Sequence, residues 1–140
     1  MKSCDWDELT SAAQLASAFA YAPYSQIRVG AALRADSGQV YTGCNVENPS
    51  FGLTTCAERV ALQCAIAQGE RNFKALAIFT PDANAMSPCG ACRQVLAEFA
   101  QSLPIISVGR ENLRREFNLA DLLPEAFSWP AGEPSQQQEV

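Results

Sequence analysis

Apolar residues recur at close to helical spacing between Asp5 and Ala20, at Leu9, Ala12, Ala13, Ala16, Phe19 and Ala20, which predicts an amphipathic helix. Asp5, Asp7 and Glu8 stand near its N-terminal end, where the helix dipole favours negative charge, and Pro23 follows its end. Two short β-prone runs come next, Arg28 to Ala35 and Val40 to Cys44. Between them, Asp36-Ser37-Gly38-Gln39 holds a Ser-Gly pair suited to a tight connection, so a β-hairpin is expected. The polar, turn-rich segment Asn45 to Thr55 leads into Cys56 to Gln68, whose apolar positions Val60, Leu62, Cys64, Ala65 and Ala67 suit a buried helix stopped by Gly69. A strand at Ala75 to Thr80, a loop containing Pro81 and Pro88, a helix at Cys89 to Ala100 and a strand at Pro104 to Gly109 complete the order α-β-β-α-β-α-β. Weaker patterns suggest a last strand at Leu113 to Leu119 and a short helix at Leu119 to Phe127.

Strands alternating with helices imply parallel neighbours joined by helical crossovers, and the early hairpin adds an antiparallel edge. The expected fold class is α/β, a three-layer α/β/α sandwich around a mixed, mainly parallel five-stranded sheet. A chain of 140 residues with 48% hydrophobic residues suits one cored domain, placed at residues 1–127. The stretch Ser128 to Val140 is rich in Pro, Gln, Glu and Ser and is expected to form a flexible C-terminal tail.

Charge and cysteine usage narrow the chemistry. A net charge of −5 gives no general attraction to nucleic acid or anionic lipid, so a small-molecule partner is expected. The N-terminus has no uninterrupted apolar core of a signal peptide, and no later stretch approaches the roughly 20 apolar residues that span a bilayer, so a cytoplasmic protein is expected. In that compartment six cysteines stay reduced, leaving metal binding, redox chemistry or packing as their roles. Histidine is absent, which excludes a His general base, a Ser-His triad and any imidazole-dependent metal site.

Cys89-Gly90-Ala91-Cys92 puts two thiols on one face of a first helical turn, with Ser87 as expected N-cap and Pro88 at the first helical position. Cys56 opens the other helix. Helix N-termini lower thiol pKa values and stabilise thiolates, and in an open α/β sheet they meet at the carboxyl ends of the strands. Cys56, Cys89 and Cys92 can therefore converge on one Zn²⁺, leaving its fourth position open, which is the mark of a catalytic site. Three anionic ligands need positive compensation: Arg59, three residues after Cys56, is the first candidate and Arg93 the second. Glu58, two residues after Cys56, reaches a water at the open position only if Cys56 lies at the very start of the helix. Three other readings stand beside these: Thr55-Cys56-Ala57-Glu58 also fits a capping box, the C-x-x-C also fits a dithiol redox centre, and Cys4, Cys44 or Cys64 is a packing residue or a fourth ligand.

These segments resemble the cytidine deaminases that act on free nucleosides, in their small, homotetrameric, three-cysteine zinc form. The likeness is carried by Tyr21-Ala22-Pro23-Tyr24-Ser25, Val29-Gly30-Ala31-Ala32, Gly43-Cys44-Asn45-Val46-Glu47-Asn48, Cys56-Ala57-Glu58-Arg59, Ser87-Pro88-Cys89-Gly90-Ala91-Cys92-Arg93-Gln94 and Leu122-Leu123-Pro124-Glu125-Ala126-Phe127, in that order. The resemblance implies deamination of cytidine and 2′-deoxycytidine in pyrimidine salvage, with Glu58 as acid and base and one Zn²⁺ per subunit. It also implies ribose contacts from Asn45 and Glu47, base contacts from the backbone of Ala57 and Cys89, and Phe127 packing over the pyrimidine of a neighbouring subunit. Two positions depart from the pattern: Ile27 stands where relatives usually have Phe, and Phe51 where Tyr is common. Related deaminases of blasticidin S, deoxycytidylate or tRNA adenosine share the core motif, but Asn45-Val46-Glu47-Asn48 favours a nucleoside.

Overall fold

Side chains on the central strands alternate between two separate cores. Ala31, Leu33, Leu76, Ile78 and Ile105 point to one face of the sheet, and Ala32, Ala75, Ala77, Phe79, Ile106 and Val108 to the other. The computed structural model describes residues 3–130, so the tail expected at 128–140 lies outside the described residues from 131 onward. Its elements are α1 (Ser3–Ser17), β1 (Gly30–Ala35), β2 (Val40–Cys44), α2 (Ala57–Ala67), β3 (Phe73–Phe79), α3 (Gly90–Ala97), β4 (Pro104–Val108), β5 (Arg114–Asn118) and α4 (Leu119–Leu122). Short 3-10 turns at Phe51–Leu53 and Arg110–Asn112 had no signal in the hydrophobic pattern.

Helix α1 covers the second face alone, burying Leu9 and Ala13 against its small residues. Helices α2 and α3 cover the first, where Ala61, Leu62, Ala65 and Leu96 meet the sheet. Each fully buried Leu or Ile of this layer is worth roughly 1.5–3 kcal/mol relative to exposure. The three-layer α/β/α arrangement is thus as expected.

The strand directions are not. The sheet runs β2-β1-β3-β4-β5, and only β3 and β4 are parallel neighbours; β1–β2, β1–β3 and β4–β5 are antiparallel. The mixed sheet is therefore mainly antiparallel rather than mainly parallel. Helix α2 carries the chain from β2 to β3, which do run the same way, but β1 fills the gap between them and pairs with both. Likewise, the five residues from Gly109 to Leu113 are too few for a helical crossover, so β5 returns antiparallel to β4.

Two glycines let the layers close. A Cβ at Gly30 would lie 1.9 Å from the Ala13 carbonyl oxygen of α1, and one at Gly43 would lie 2.5 Å from the Ala61 nitrogen and 2.6 Å from the Ala57 oxygen of α2. Gly43 thus allows β2 to touch the backbone of the helix that starts at the candidate metal ligand.

Candidate functional site

Cys56 is the N-cap of α2, with extended backbone angles of φ −70° and ψ 154°. The two-residue step from Cys56 to Glu58 is therefore not a helical step, and Glu58 reaches the same side as the thiol instead of the opposite face. The capping-box reading fails for the same reason: Thr55 is not the cap, and its backbone pairs with Val46 in both directions, at 2.9 and 3.0 Å. Cys89, rather than Ser87, is the N-cap of α3, and its Sγ accepts from the Cys92 N–H at 3.5 Å, as a serine or aspartate oxygen does at other helix starts. Pro88 accordingly precedes the helix. The Sγ atoms of Cys56, Cys89 and Cys92 lie within 4.8 Å of one another.

Zinc–sulfur bonds of about 2.3 Å in tetrahedral geometry place ligand sulfurs about 3.8 Å apart. Cys56 and Cys89 Sγ are 3.7 Å apart, well beyond a disulfide bond and at the separation zinc requires. Residues from two helix starts, with no fourth protein thiol among the described residues of the cluster, suit one Zn²⁺ with an open position. Cys44 is half-buried beyond the cluster and Cys64 is exposed on α2, which corrects the packing reading for Cys64. The side chain of Cys4 lies outside the described residues.

The electrostatics agree with a thiolate centre. An Arg59 guanidinium nitrogen lies 3.4 Å from Cys56 Sγ and 3.4 Å from the Thr54 carbonyl oxygen. The neighbouring Cys92 thiol, donating to Cys56, together with Arg59 and Cys89, lowers the Cys56 pKa to about 5 against an opposing effect of burial. Cys92 is shifted the opposite way, upward, by that shared proton and by its own burial. Burial pushes the Glu58 carboxyl up, and the Cys56 thiolate adds to the shift. Glu58 is buried with an oxygen 3.7 Å from Cys92 Sγ. Arg93, the second candidate for charge compensation, instead donates to Pro88 O, Leu122 O and Ser87 Oγ.

The segment Asn45 to Glu47 reaches the metal side through the Val46–Thr55 bridge, and Tyr21 pairs with its other edge. Asn45 is buried: its Oδ1 accepts from Val29 N–H at 2.8 Å and its Nδ2 donates to Ile27 O at 2.8 Å. The Glu47 carboxylate accepts from the N–H groups of Tyr24 and Ser25 and from the Ser25 hydroxyl, and these hydrogen bonds hold its pKa below the usual value. Both side chains thus shape the loop that presents Ile27. That role was not read from the sequence, although Tyr21-Ala22-Pro23-Tyr24-Ser25 was the available signal. A cavity of about 350 Å³ lined by Tyr24, Ser25, Glu47, Asn48, Phe51 and Thr54 opens beside it. Ala57 is the first residue of α2, where backbone N–H groups have no carbonyl within the helix. Phe127 is 72% exposed, with its carbonyl oxygen accepting from Gln94 Nε2 at 3.1 Å.

A sandwich that brings two helix starts together around three thiols and a buried carboxyl has the construction of a zinc-dependent hydrolytic deaminase. Residues 5–107 match the family model described as the cytidine and deoxycytidylate deaminase zinc-binding region, and the chain belongs to that family. It is 46% identical over 125 residues to a cytidine deaminase of Sporosarcina psychrophila, covering 89% of this chain and 92% of that protein. It is also 46% identical over 128 residues to a cytidine deaminase of Mycobacterium tuberculosis, strain H37Rv, covering 91% and 92%. A crystal structure of a cytidine deaminase from Burkholderia pseudomallei superposes with a TM-score of 0.83 at 44% identity, covering 91% of this chain and all of that one.

Proposed function

We propose that the chain catalyses hydrolytic deamination of cytidine and 2′-deoxycytidine to uridine and 2′-deoxyuridine, releasing ammonia, in pyrimidine salvage. The observation that carries this reading is the buried Glu58 carboxyl beside three thiols whose sulfurs lie within 4.8 Å of one another. Cys56, Cys89 and Cys92 would hold a Zn²⁺, and the ion would acidify the attacking water.

Glu58 is the proton carrier. Its carboxylate takes the first proton of the water and gives it to N3 of the cytosine ring as the oxygen adds to C4. It then passes the second proton to the amine, the C4–N bond breaks, and ammonia leaves. A raised carboxyl pKa suits a group that must accept and return a proton near neutral pH. Arg59 offsets the negative charge of the thiolates by its contact with Cys56.

Asn45 and Glu47 recognise the ribose. Three of the roughly four acceptor positions of the Glu47 carboxylate are taken by Tyr24 and Ser25, which leaves one for a hydroxyl. Ala57 contacts the base through its backbone, Ile27 lies against one face of the ring, and Phe127 packs over the pyrimidine of a neighbouring subunit in a homotetramer. The exposed aromatic rings of Phe19, Phe51 and Phe127 support an assembly that covers them. No helix among the described residues is long and apolar enough to cross a membrane, which is compatible with the cytoplasmic location that salvage implies.

Ammonia release from purified protein with cytidine, deoxycytidine, deoxycytidylate and blasticidin S tests the assignment. Turnover of the two nucleosides is expected, and turnover confined to deoxycytidylate or blasticidin S would replace the reading. Sedimentation analysis of the same sample tests the tetramer.

A further inference from the structure

The C-terminal segment that bears Phe127 is hydrogen-bonded to the helix that bears two of the thiols. Past α4 the chain has no regular structure, Glu125 adopts a left-handed φ of 52°, and Pro124, Glu125 and Phe127 are exposed. Its own backbone offers the Leu123 N–H to Leu119 O at 3.0 Å, and Leu119 N–H to Leu103 O ties its start to the chain ahead of β4. Asn118 Oδ1 caps α4 by accepting from Ala120 N–H at 3.0 Å, and further hydrogen bonds come from two consecutive residues of α3, directly after Cys92. Arg93 donates from Nε to Pro88 O at 2.8 Å, from one terminal nitrogen to Leu122 O at 3.0 Å and from the other to Ser87 Oγ at 3.1 Å. Gln94 Nε2 donates to Phe127 O at 3.1 Å.

All three Arg93 acceptors are neutral, and no carboxylate pairs with it among the described residues. The planar fork is thus used for its geometry rather than for ion pairing. One arm holds the residue just before Cys89, and another holds the end of α4. We propose that Arg93 is a positioning residue which, with Gln94, fixes Leu119–Phe127 to the turn carrying Cys89 and Cys92 and so sets where the Phe127 ring is presented to substrate. The kinetic part of this inference rests on the cytidine deaminase reading; the anchoring part does not.

Arg93→Lys, Arg93→Gln and Gln94→Ala in the full, zinc-loaded chain test it, read by amide exchange over residues 119–127, zinc content, and KM and kcat for cytidine. Both Arg93 variants are expected to speed exchange at the Leu123 amide about tenfold, the size of effect that follows loss of a hydrogen bond to a charged donor. Zinc stays stoichiometric, and KM rises about fivefold with kcat within about twofold, as fits a displaced aromatic contact. Gln94→Ala shifts exchange and KM the same way by less. Lysine restoring wild-type exchange and KM would make the role one of charge and overturn the proposal. Unchanged exchange in Arg93→Gln, or a fall in kcat at constant KM, would also overturn it. Should Arg93→Gln fail to fold, the lysine and Gln94→Ala variants decide between the same outcomes. Should the wild-type chain not deaminate cytidine, the functional reading falls while the exchange measurements still settle the anchor.

Discussion

The proposed metal side and the proposed substrate side of the site are built on different terms. On the metal side the groups converge within one chain: Cys92 and Glu58 are buried, and the three sulfurs lie within 4.8 Å of one another. On the substrate side Glu47 and Asn45 are engaged by the backbone of residues 24–29, and Phe51 and Phe127 are largely exposed. Buried groups at helix starts are fixed by the packing of α2 and α3 on the sheet. Of the groups on loops, Asn45 is buried, whereas Glu47, Phe51 and Phe127 rely on hydrogen bonds and on whatever later covers them. Damage on the metal side should therefore abolish chemistry, and damage on the rim should change affinity.

The largest effect is expected from Cys92→Ala, which removes a buried proposed ligand. Zinc by elemental analysis should fall well below one per chain, activity should drop to background, and stability should fall with the metal. Full zinc content and activity would remove Cys92 from the ligand set. Glu58→Gln separates proton transfer from metal binding: zinc is kept while kcat falls about 10²–10⁴-fold, the usual range for a general acid–base group. Turnover near the wild-type rate would show that another group moves the proton.

Gly43→Ala probes how far the sheet itself positions the metal side. The added Cβ meets α2 backbone at 2.5 Å, so the helix start must retreat. A loss of about 1–3 kcal/mol in urea unfolding is expected, with weaker zinc retention against a chelator. On the rim, Ile27→Phe should lower KM for cytidine about three- to tenfold by adding a stacking face, with kcat little changed. An unaltered KM would place residue 27 away from the base.

The smallest effect is expected from the ion pair that tethers the Ile27 loop to the segment after β3. Arg28 meets Asp82 at 2.9 Å through Nε and 3.0 Å through a terminal nitrogen, which lowers the Asp82 pKa to about 2. Its folded pKa lies below the unfolded value, so the pair stabilises the fold above the ordinary aspartate range and loses that contribution as pH falls through about 2. Because the pair is partly solvated, Asp82→Asn should cost less than about 1 kcal/mol at neutral pH. The gap to wild type should narrow in unfolding titrations taken toward pH 2, and a constant gap would mean that the carboxylate charge contributes nothing.

The candidate metal centre was legible in residue order, as three thiols that the fold brings within 4.8 Å of one another. Without histidine, the C-x-x-C at a helix start, Cys56 at another and Glu58 beside it left few ways to build a catalytic zinc site, because ligand type and open coordination follow from side-chain chemistry. The positions of the main helices and strands were legible too, since hydrophobic periodicity is a local property. Neighbour relations are not local. That β1 would insert between β2 and β3, making the sheet mainly antiparallel, depends on which strand edges meet after α2 has crossed the sheet. In the same way, the cap positions of Cys56 and Cys89, the release of Arg93 from the thiols to the C-terminal segment, and the use of Glu47 to hold the Tyr24–Ser25 backbone were settled by packing between distant parts of the chain. The sequence determined which atoms could bind a metal and carry a proton; only the tertiary structure decided which neighbours each atom would face, because those contacts arise when separate elements close on one core.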